Sequence, residues 1–368
     1  MDGNSAIQKK LSVEISIFSG LKVVDLSTVL AGPSVGTFFA ELGASVLKIE
    51  NSTIPDVTRS WKLPVEDQKS TVSAYFSSVN YGKDYLNLNL KLATDYERFL
   101  EIIKDADILI SNFKLGDEVK LKLEDKRLRA LNPRLIIGKI NGFGSDSDRV
   151  AYDLILQAES GFMSMNGTPE SGPVKIPIAI IDVIAAHQLK EGLLLALIEL
   201  QQKGKAKTIE VSLYDAAICS LVNQASNYLM SQYVPQRIGS LHPNIAPYGE
   251  LFETKDNEFI TFAIGSLVHF QKLCDFLGLE YLVNHDQFSS NQKRVINREK
   301  LFVFLQEKIK DFTADEILNE MLQKHVPAGK IKNLEAVFAD QSALDLVRIE
   351  TIEGIQTKRL TSIAFKWK

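Results

Sequence analysis

The chain has only two cysteines, Cys219 and Cys274, which lie far apart in the sequence. Neither belongs to a CxxC pair, so the sequence predicts no disulfide framework and no cysteine-based metal site. We expect both cysteines to pack as small apolar residues in a reducing compartment. The first 16 residues contain no apolar stretch long enough for a signal peptide. We therefore predict a cytoplasmic protein.

The sequence also lacks an excess of basic residues, apolar runs long enough to span a membrane, and histidines at metal-ligand spacing. The formal net charge is −4, which argues against a general nucleic-acid-binding protein. The most apolar helical run, residues 192–200, is too short to span a bilayer, and we predict no membrane partner. The five histidines show no spacing such as HxxxH, so we predict no metal site. The remaining composition, 45% hydrophobic and 24% charged, is typical of a globular protein.

Residues 20–51, GLKVVDLSTVLAGPSVGTFFAELGASVLKIEN, predict a strand, a tight loop, a helix and a second strand. Pro33 suits the first helical turn, where its missing N–H would have no partner, and Gly43 ends the helix. In a parallel βαβ unit, the loop after the first strand lies at a ligand-binding edge of the sheet. Backbone groups at a helix N-terminus favour an anionic ligand such as a phosphate. The GxGxxG fingerprint is absent, which disfavours a nicotinamide dehydrogenase.

Short β-rich runs alternate with helical stretches as far as about residue 212. This alternation indicates an α/β fold with a mostly parallel, Rossmann-like sheet. Helical periodicity covers residues 96–104 and 182–203. The strands that we predict are residues 22–26, 45–49, 108–111, 135–140 and 208–212.

The pattern changes after residue 212. Residues 214–233 are compatible with a helix that no strand follows, and we interpret them as a connector. A hairpin and several helices then predict a smaller α+β domain. The hairpin strands are residues 250–253 and 258–263, and the helices are residues 267–277, 300–310 and 313–324.

A series of short motifs runs along nearly the whole chain. It begins with LSTVLAGP and LGASVLKIE within residues 26–50 and continues with PDVTR (55–59), NYGK (80–83), ADILISNF (106–113), LNPRLI (131–136), GFG (142–144), YD (152–153), QAESG (157–161) and VPAG (326–329). Their order and spacing resemble those of the family III CoA-transferases. This group includes formyl-CoA transferase and carnitine CoA-transferase.

The resemblance implies an architecture and an activity. It implies a large CoA-binding α/β domain over residues 1–212, a connecting helix over 213–235, a small α+β domain over 236–334, and a C-terminal segment, 335–368, that returns to the large domain. It also implies an interlocked homodimer. The implied reaction transfers coenzyme A between an acyl-CoA and a free carboxylic acid, with both molecules as substrates and no tightly bound cofactor.

Asp182 lies where an apolar run meets the start of a long predicted helix. A carboxylate in a first helical turn is stabilised by the helix dipole, so we expect it to be ionised near neutral pH. From the residues alone, a helix cap is the simpler interpretation. The resemblance implies a catalytic role, because the family has its nucleophilic aspartate at this position. His187 would lie about 140° around the helix and is not expected to assist.

The resemblance also implies a set of CoA-binding residues. Cations among them suit phosphate groups, and the apolar side chains suit adenine and pantetheine. The set is Leu30, Ala31, Asn51, Leu88, Asn89, Leu90, Lys91, Asn112, Phe113, Lys120, Arg149, Tyr152 and Asp153. Arg59 and Lys83 also fit the family pattern, and the sequence leaves open whether they pair internally or meet CoA.

Two alternatives to a transferase remain. In the related α-methylacyl-CoA racemases, a histidine stands at the position of Tyr152 and exchanges the α-proton. Tyrosine of ordinary pKa is a poor base, which favours transfer. The second alternative is a non-catalytic CoA-binding paralogue. It is motivated by Leu30 and Asn51, which stand where formyl-CoA transferase has glutamine and arginine, whereas the retained Asp182 argues against it.

Overall fold

The computed structural model describes residues 16–366. The first 15 residues, which form most of the stretch in which we predicted no signal peptide, lie outside this range. Contacts divide the chain into two compact units. The first comprises the residues up to Met163, Lys175–Val234 and the residues from Asp345 onward, and the second comprises Ser164–Val174 and Pro235–Leu344.

A six-stranded sheet forms the centre of the first unit. The strand order is β3-β2-β1-β4-β5-β6, and every pair of neighbouring strands is parallel. The strands are β1 (Lys22–Asp25), β2 (Ser45–Glu50), β3 (Lys83–Asn87), β4 (Ile108–Ser111), β5 (Ile136–Asn141) and β6 (Thr208–Ser212). The order reverses direction between β1 and β4. In open α/β sheets, ligands bind beside such a point, at the carboxyl ends of the strands.

Helices lie between these strands and after β6, and some of them pack against the two faces of the sheet. They are α1 (Ala31–Glu41), α2 (Ala74–Ser78), α3 (Ala93–Lys104), α4 (Asp117–Lys120), α5 (Asp125–Leu131), α6 (Asp153–Glu159), α7 (Phe162–Met165), α8 (Ile180–Lys203), α9 (Leu213–Cys219) and α10 (Val222–Ser231). One face buries apolar residues of α1 and α8, among them Phe39 and Leu189. The opposite face buries Phe99 and Ile103 of α3. Both faces are therefore dry, as the apolar runs of the central strands require.

The second unit is a small α+β structure. Its antiparallel sheet has the order β7 (Phe252–Glu253), β8 (Phe259–Phe262), β9 (Ala328–Lys330). Its helices are α11 (Leu267–Leu277), α12 (Asn291–Ile296), α13 (Arg298–Ile309), α14 (Ala314–Gln323), α15 (Leu334–Val337) and α16 (Gln341–Leu344). Side-chain caps fix where four of them begin. The side chains of Ser266, Ser290 and Asn333 accept backbone N–H bonds at the starts of α11, α12 and α15, and Thr313 forms a capping box with Glu316 at the start of α14.

A C-terminal hairpin belongs to the first unit. Its antiparallel strands are β10 (Val347–Ile352) and β11 (Ile355–Leu360), and β11 packs against α2. Arg359 of β11 forms a 2.6 Å ion pair with Glu41 at the end of α1, and both side chains are almost fully buried. The guanidinium also lies 3.8 Å from the ring centroid of Tyr81. These contacts attach the chain end to the sheet unit.

The predicted fold class, a mostly parallel α/β sheet with a smaller α+β unit, is confirmed. The patterns missed β3, β9 and the C-terminal hairpin. Strand β3 reads KDYLN, with too few apolar residues to signal a strand, and it forms at the sheet edge. Residues 213–235, predicted as one connecting helix, contain α9 and α10. Cys274 is buried as predicted, but Cys219 is exposed, and that part of the prediction is wrong.

Candidate active site

A cavity of about 360 Å³ lies at the carboxyl ends of the central strands. Its walls come from the segments that follow β1, β4 and β5, and from β6 and the start of α9. Asp182 joins them from the first turn of α8. The cavity therefore occupies the place that the strand order predicts for a ligand site.

Asp182 is held by the way α8 begins. The residue before the helix, Ala179, offers no side-chain cap. Asp153 replaces the cap from outside, because its Oδ1 accepts a 2.8 Å hydrogen bond from the backbone N–H of Ile181. Its Oδ2 accepts a 2.6 Å bond from Nε2 of Gln157. Asp182 follows directly and is only 8% exposed, so its carboxylate sits in a fixed helix at the cavity wall.

The protonation of Asp182 differs from our expectation. Burial, followed by the negative charge of Asp153, raises the pKa of Asp182 from 3.8 to about 7. We expected the first helical turn to keep this carboxylate ionised near neutral pH, whereas a pKa of about 7 leaves it only about half ionised there. Loss of water and a neighbouring carboxylate outweigh the helix dipole, and the group changes its charge near neutral pH.

Tyr75 is a neighbour of Asp182 that the sequence reasoning missed. The pKa of its phenol is raised to about 12, mainly by burial and further by the negative charges of Asp182, Asp153 and Asp56. The phenol therefore stays protonated. Its ring meets that of Trp61 edge-on, with centroids 5.2 Å apart. No single-sequence pattern pointed to Tyr75, because it lies on α2, far along the chain from α8.

Two loops of the cavity are locked together by Asn112. Its Oδ1 accepts from the backbone N–H of Thr28 at 3.0 Å, and its Nδ2 donates to the carbonyl of Thr28 at 2.8 Å. These two hydrogen bonds fix the loop after β1 beside the loop after β4. Arg149 lies on the cavity wall with its guanidinium 3.8 Å from the ring centroid of Phe143, and it pairs with Glu159 at 2.5 Å.

The sequence profile of CoA-transferase family III matches residues 18–367. The chain belongs to this family. It is 35% identical to a succinate–glutarate CoA-transferase of Agrobacterium fabrum, over 88% of this chain and 82% of that protein. It is 30% identical to the human succinyl-CoA:glutarate CoA-transferase, over 90% of this chain and 75% of that protein. A CaiB/BaiF family protein from Brucella suis has the same fold, with 34% identity, a TM-score of 0.82, and coverage of 96% of this chain and 93% of that one.

The cavity of this family III CoA-transferase contains about half of the residues predicted to form the site. Those that line it are Asp182, Leu30, Ala31, Asn112, Phe113, Arg149 and Tyr152. Asp153 lies just behind the wall, where it caps α8. The lining also includes charged residues that the sequence reasoning did not select, such as Lys114 and Lys139. Lys139 lies 2.7 Å from both Glu118 and Asp125, so much of its charge is already neutralised.

The other predicted CoA residues lie outside the lining. Leu88 and Leu90 pack in or against the core beside α3. The side chains of Asn51 and Asn89 accept backbone hydrogen bonds within their own turns. Lys120 pairs with Asp117 at 2.9 Å on the surface, and Lys91 is exposed. The structure thus brings together the loops after β1, β4 and β5 but not the segment after β3.

Arg59 and Lys83 both pair internally. Lys83 Nζ lies 2.8 Å from Oδ2 of Asp25, and both side chains are fully buried. Burial alone would raise the pKa of Asp25, but Lys83 and Lys48 outweigh it and lower that pKa, so the pair is charged. Arg59 contacts Glu50 at 2.6 Å and Glu353 of the C-terminal hairpin at 3.0 Å. Neither cation lines the cavity.

Residues 16–366 contain no group of three or more histidine, cysteine, aspartate or glutamate side chains placed to hold a metal ion. Across the same part of the chain, none of the helices combines the length and the apolar character needed to cross a bilayer. His187 is exposed on α8 and does not line the cavity.

Proposed function

We propose that this CoA-transferase exchanges coenzyme A between an acyl-CoA and a free carboxylic acid through an aspartyl–acyl anhydride at Asp182. The observation that carries the proposal is the place of Asp182. It is a carboxylate in the first turn of a long helix, almost shielded from solvent, at the wall of a cavity on the ligand-binding edge of the sheet.

The reaction runs as a series of acyl transfers. A carboxylate oxygen of Asp182 attacks the thioester carbonyl, the C–S bond breaks, and CoA leaves as a thiolate. The product on the protein is a mixed anhydride. The acceptor carboxylate then attacks the Asp182 carbonyl and displaces the donor acid, which gives a new anhydride. The CoA thiolate attacks the acceptor's carbonyl, forms the new thioester and frees the Asp182 carboxylate.

The surroundings of Asp182 suit these steps. A buried carboxylate is poorly hydrated, so less water must be removed before it attacks, and a shielded anhydride is protected from hydrolysis. The first turn of α1 begins at Ala31 in the cavity wall. Pro33 has no N–H, and that of Ser34 donates to the carbonyl of Leu30, so the N–H groups of Ala31 and Gly32 are those left without a partner in the helix. We assign these two groups the role of stabilising the oxyanion.

The proposal divides the predicted CoA residues into three groups: cavity residues, nucleotide-end residues and supporting residues. Leu30, Ala31, Asn112, Phe113, Arg149 and Tyr152 surround the thioester and pantetheine arm in the cavity. The nucleotide end of CoA would lie along the surface. The candidates for binding it are the more exposed residues Asn51, Asn89, Lys91 and Lys120. Leu88 and Leu90 support that surface through the core, and Asp153 supports Asp182.

The relatives suggest the first substrates to test. Several have names that include succinate, succinyl-CoA or glutarate, so we propose a dicarboxylic acid as donor or acceptor. We further propose that the protein works in the cytoplasm as a homodimer, with acyl-CoA and carboxylic acid as its substrates and no tightly bound cofactor.

Trapping of the intermediate tests the mechanism. The protein is incubated with acyl-CoAs, including succinyl-CoA, and quenched with borohydride, and its peptides are analysed by mass spectrometry. We expect reduction at Asp182 with the true donor. No modification with any donor, in a preparation that binds CoA, would contradict the anhydride and favour a non-catalytic CoA-binding role.

The racemase alternative has less support in this site. Both carboxylate oxygens of Asp153 accept hydrogen bonds, from Ile181 and Gln157, so this group is engaged as a cap. Tyr152 is about half exposed. A racemase would introduce deuterium at the α-carbon of an acyl-CoA in heavy water. We expect acyl exchange without such labelling.

Activity should depend on pH through Asp182. The nucleophile must be ionised, and its pKa in the free protein is about 7, so kcat/KM should fall below pH 7 and level off above it. Replacing Asp153 with asparagine removes the neighbouring negative charge. The inflection should then move to lower pH, although burial keeps it above the ordinary value of 3.8. An inflection at the same pH in both proteins would contradict this assignment.

A further inference from the structure

Val29 has a backbone conformation that is unusual for its residue type. Its φ is +73°, in the left-handed region that β-branched residues strongly disfavour. It belongs to the loop between β1 and α1, which lines the cavity together with Leu30 and Ala31. Strained residues persist only where the surroundings hold them, and they concentrate at functional sites. The contacts that hold Val29 are therefore informative.

Asp56 contacts the backbone of Val29. Its carboxylate accepts from the backbone N–H of Val29, at 3.2 Å to Oδ2 and 3.4 Å to Oδ1. Oδ1 also accepts from the N–H and the hydroxyl of Thr58, at 3.1 and 2.7 Å. Every one of these partners is a donor. An ionised carboxylate satisfies them all, because it has acceptor sites only.

Lys48 forms a buried ion pair with Asp56. Its Nζ lies 3.3 Å from Oδ2 of Asp56, and both side chains have no solvent exposure. The same ammonium donates to the carbonyl of Ser27 at 2.8 Å. The Lys48–Asp56 pair therefore contacts the loop at two points, the carbonyl of Ser27 and the N–H of Val29, within a segment whose residues 28–31 line the cavity.

We propose that the Lys48–Asp56 pair is a positioning device for the transferase reaction, with Asp56 as a positioning residue that never touches substrate. The pair fixes the strained loop, and the loop sets Leu30 and the start of α1 against the cavity that Asp182 enters. The inference rests on the proposed function. The inference requires a negative charge at position 56 for catalysis, so a neutral side chain of the same size should not replace Asp56.

The Asp56→Asn variant tests this requirement. Asparagine keeps the shape but presents an NH₂ group to at least one donor, and it leaves the buried Lys48 without its ion-pair partner at 3.3 Å. Small displacements of catalytic groups can cost about a hundredfold in rate. We expect kcat to fall roughly tenfold to a hundredfold, while the KM for acyl-CoA changes less than about threefold, because the other cavity loops still bind it.

A matched control separates positioning from general destabilisation. Glu41→Gln also neutralises a buried carboxylate that is paired with a buried cation, Arg359, in the same unit. It lies at the far end of α1 from the loop. We expect it to lower the midpoint of thermal unfolding by a similar amount to Asp56→Asn and to leave kcat unchanged. An equal loss of kcat in both variants would overturn the proposal.

The double variant Lys48→Met/Asp56→Asn keeps the test decisive if the single variant folds poorly. It removes both charges, so no buried ion is left unpaired, and its unfolding midpoint should recover. Its kcat should stay low, because the charged acceptor for Val29 is still missing. A folded double variant with wild-type kcat would show that the pair is only structural.

These outcomes are distinct from a failure of the proposed function. If exchange persists after Asp182 is replaced, or if the wild-type protein shows no reduction at Asp182 with any donor, the anhydride mechanism fails whatever Asp56 does. If the Asp182 variant is inactive and both Asp56 variants have normal kcat, only the positioning proposal fails.

Discussion

Replacing Asp182 with asparagine should reduce CoA exchange by at least about a thousandfold, because loss of the proposed covalent nucleophile would leave only binding and electrostatic contributions. The substitution conserves shape, and it removes a carboxylate that sits in a nearly dry site. The variant should therefore fold normally. Exchange is measured with succinyl-CoA and a set of carboxylic acids, by separating the acyl-CoA products.

Binding and a second aspartate provide the controls. Calorimetric titration with CoA should give an affinity within a few-fold of the wild type, since Asp182 supplies one carboxylate among many lining groups. Asp215→Asn alters another aspartate in a first helical turn, that of α9, where the side chain is exposed and does not line the cavity. It should keep full activity. Substantial exchange by a folded Asp182→Asn or Asp182→Ala protein would refute the mechanism.

Replacing Lys83 with methionine should lower the free energy of unfolding by roughly 3–5 kcal/mol, the usual cost of leaving a buried charge without its partner. Asp25 would lose the ammonium 2.8 Å away in a place that has no solvent exposure. The same ammonium also donates to the carbonyl of Pro33 at 2.8 Å and to Oδ1 of Asn80 at 2.9 Å. Equilibrium unfolding in urea, followed by circular dichroism, measures the change.

Lys104→Met is the matched control for this experiment. Lys104 also forms a short ion pair, with Glu101 on the same helix, but both side chains are largely exposed. Exposed pairs contribute little, so the free energy of unfolding should change by less than about 1 kcal/mol. If the two methionine variants were equally stable, the buried pair would not have the structural importance that its burial indicates.

Several parts of the fold followed from local pattern. The β-branched runs of β1, β4 and β6 and the long apolar periodicity of α8 were visible in the sequence, and the observed bounds differ by at most two residues. These segments were predicted correctly because their intrinsic propensity and their pattern of buried residues favour the same secondary structure. β3 was missed for the opposite reason. Its sequence is mostly polar, and it becomes a strand because the exposed edge of β2 pairs with it.

The order of motifs along the chain, and the resemblance based on it, determined the family, the kind of reaction and the choice of Asp182. Those properties reside in residue identity and spacing, which a sequence records directly. Tertiary structure alone decided the protonation of Asp182, the cap from Asp153, the proximity of Tyr75 and the pairing of Lys48 with Asp56. Each of these features depends on burial from water and on contacts between segments that are distant in the chain. A short stretch of sequence indicates neither the burial nor the contacts.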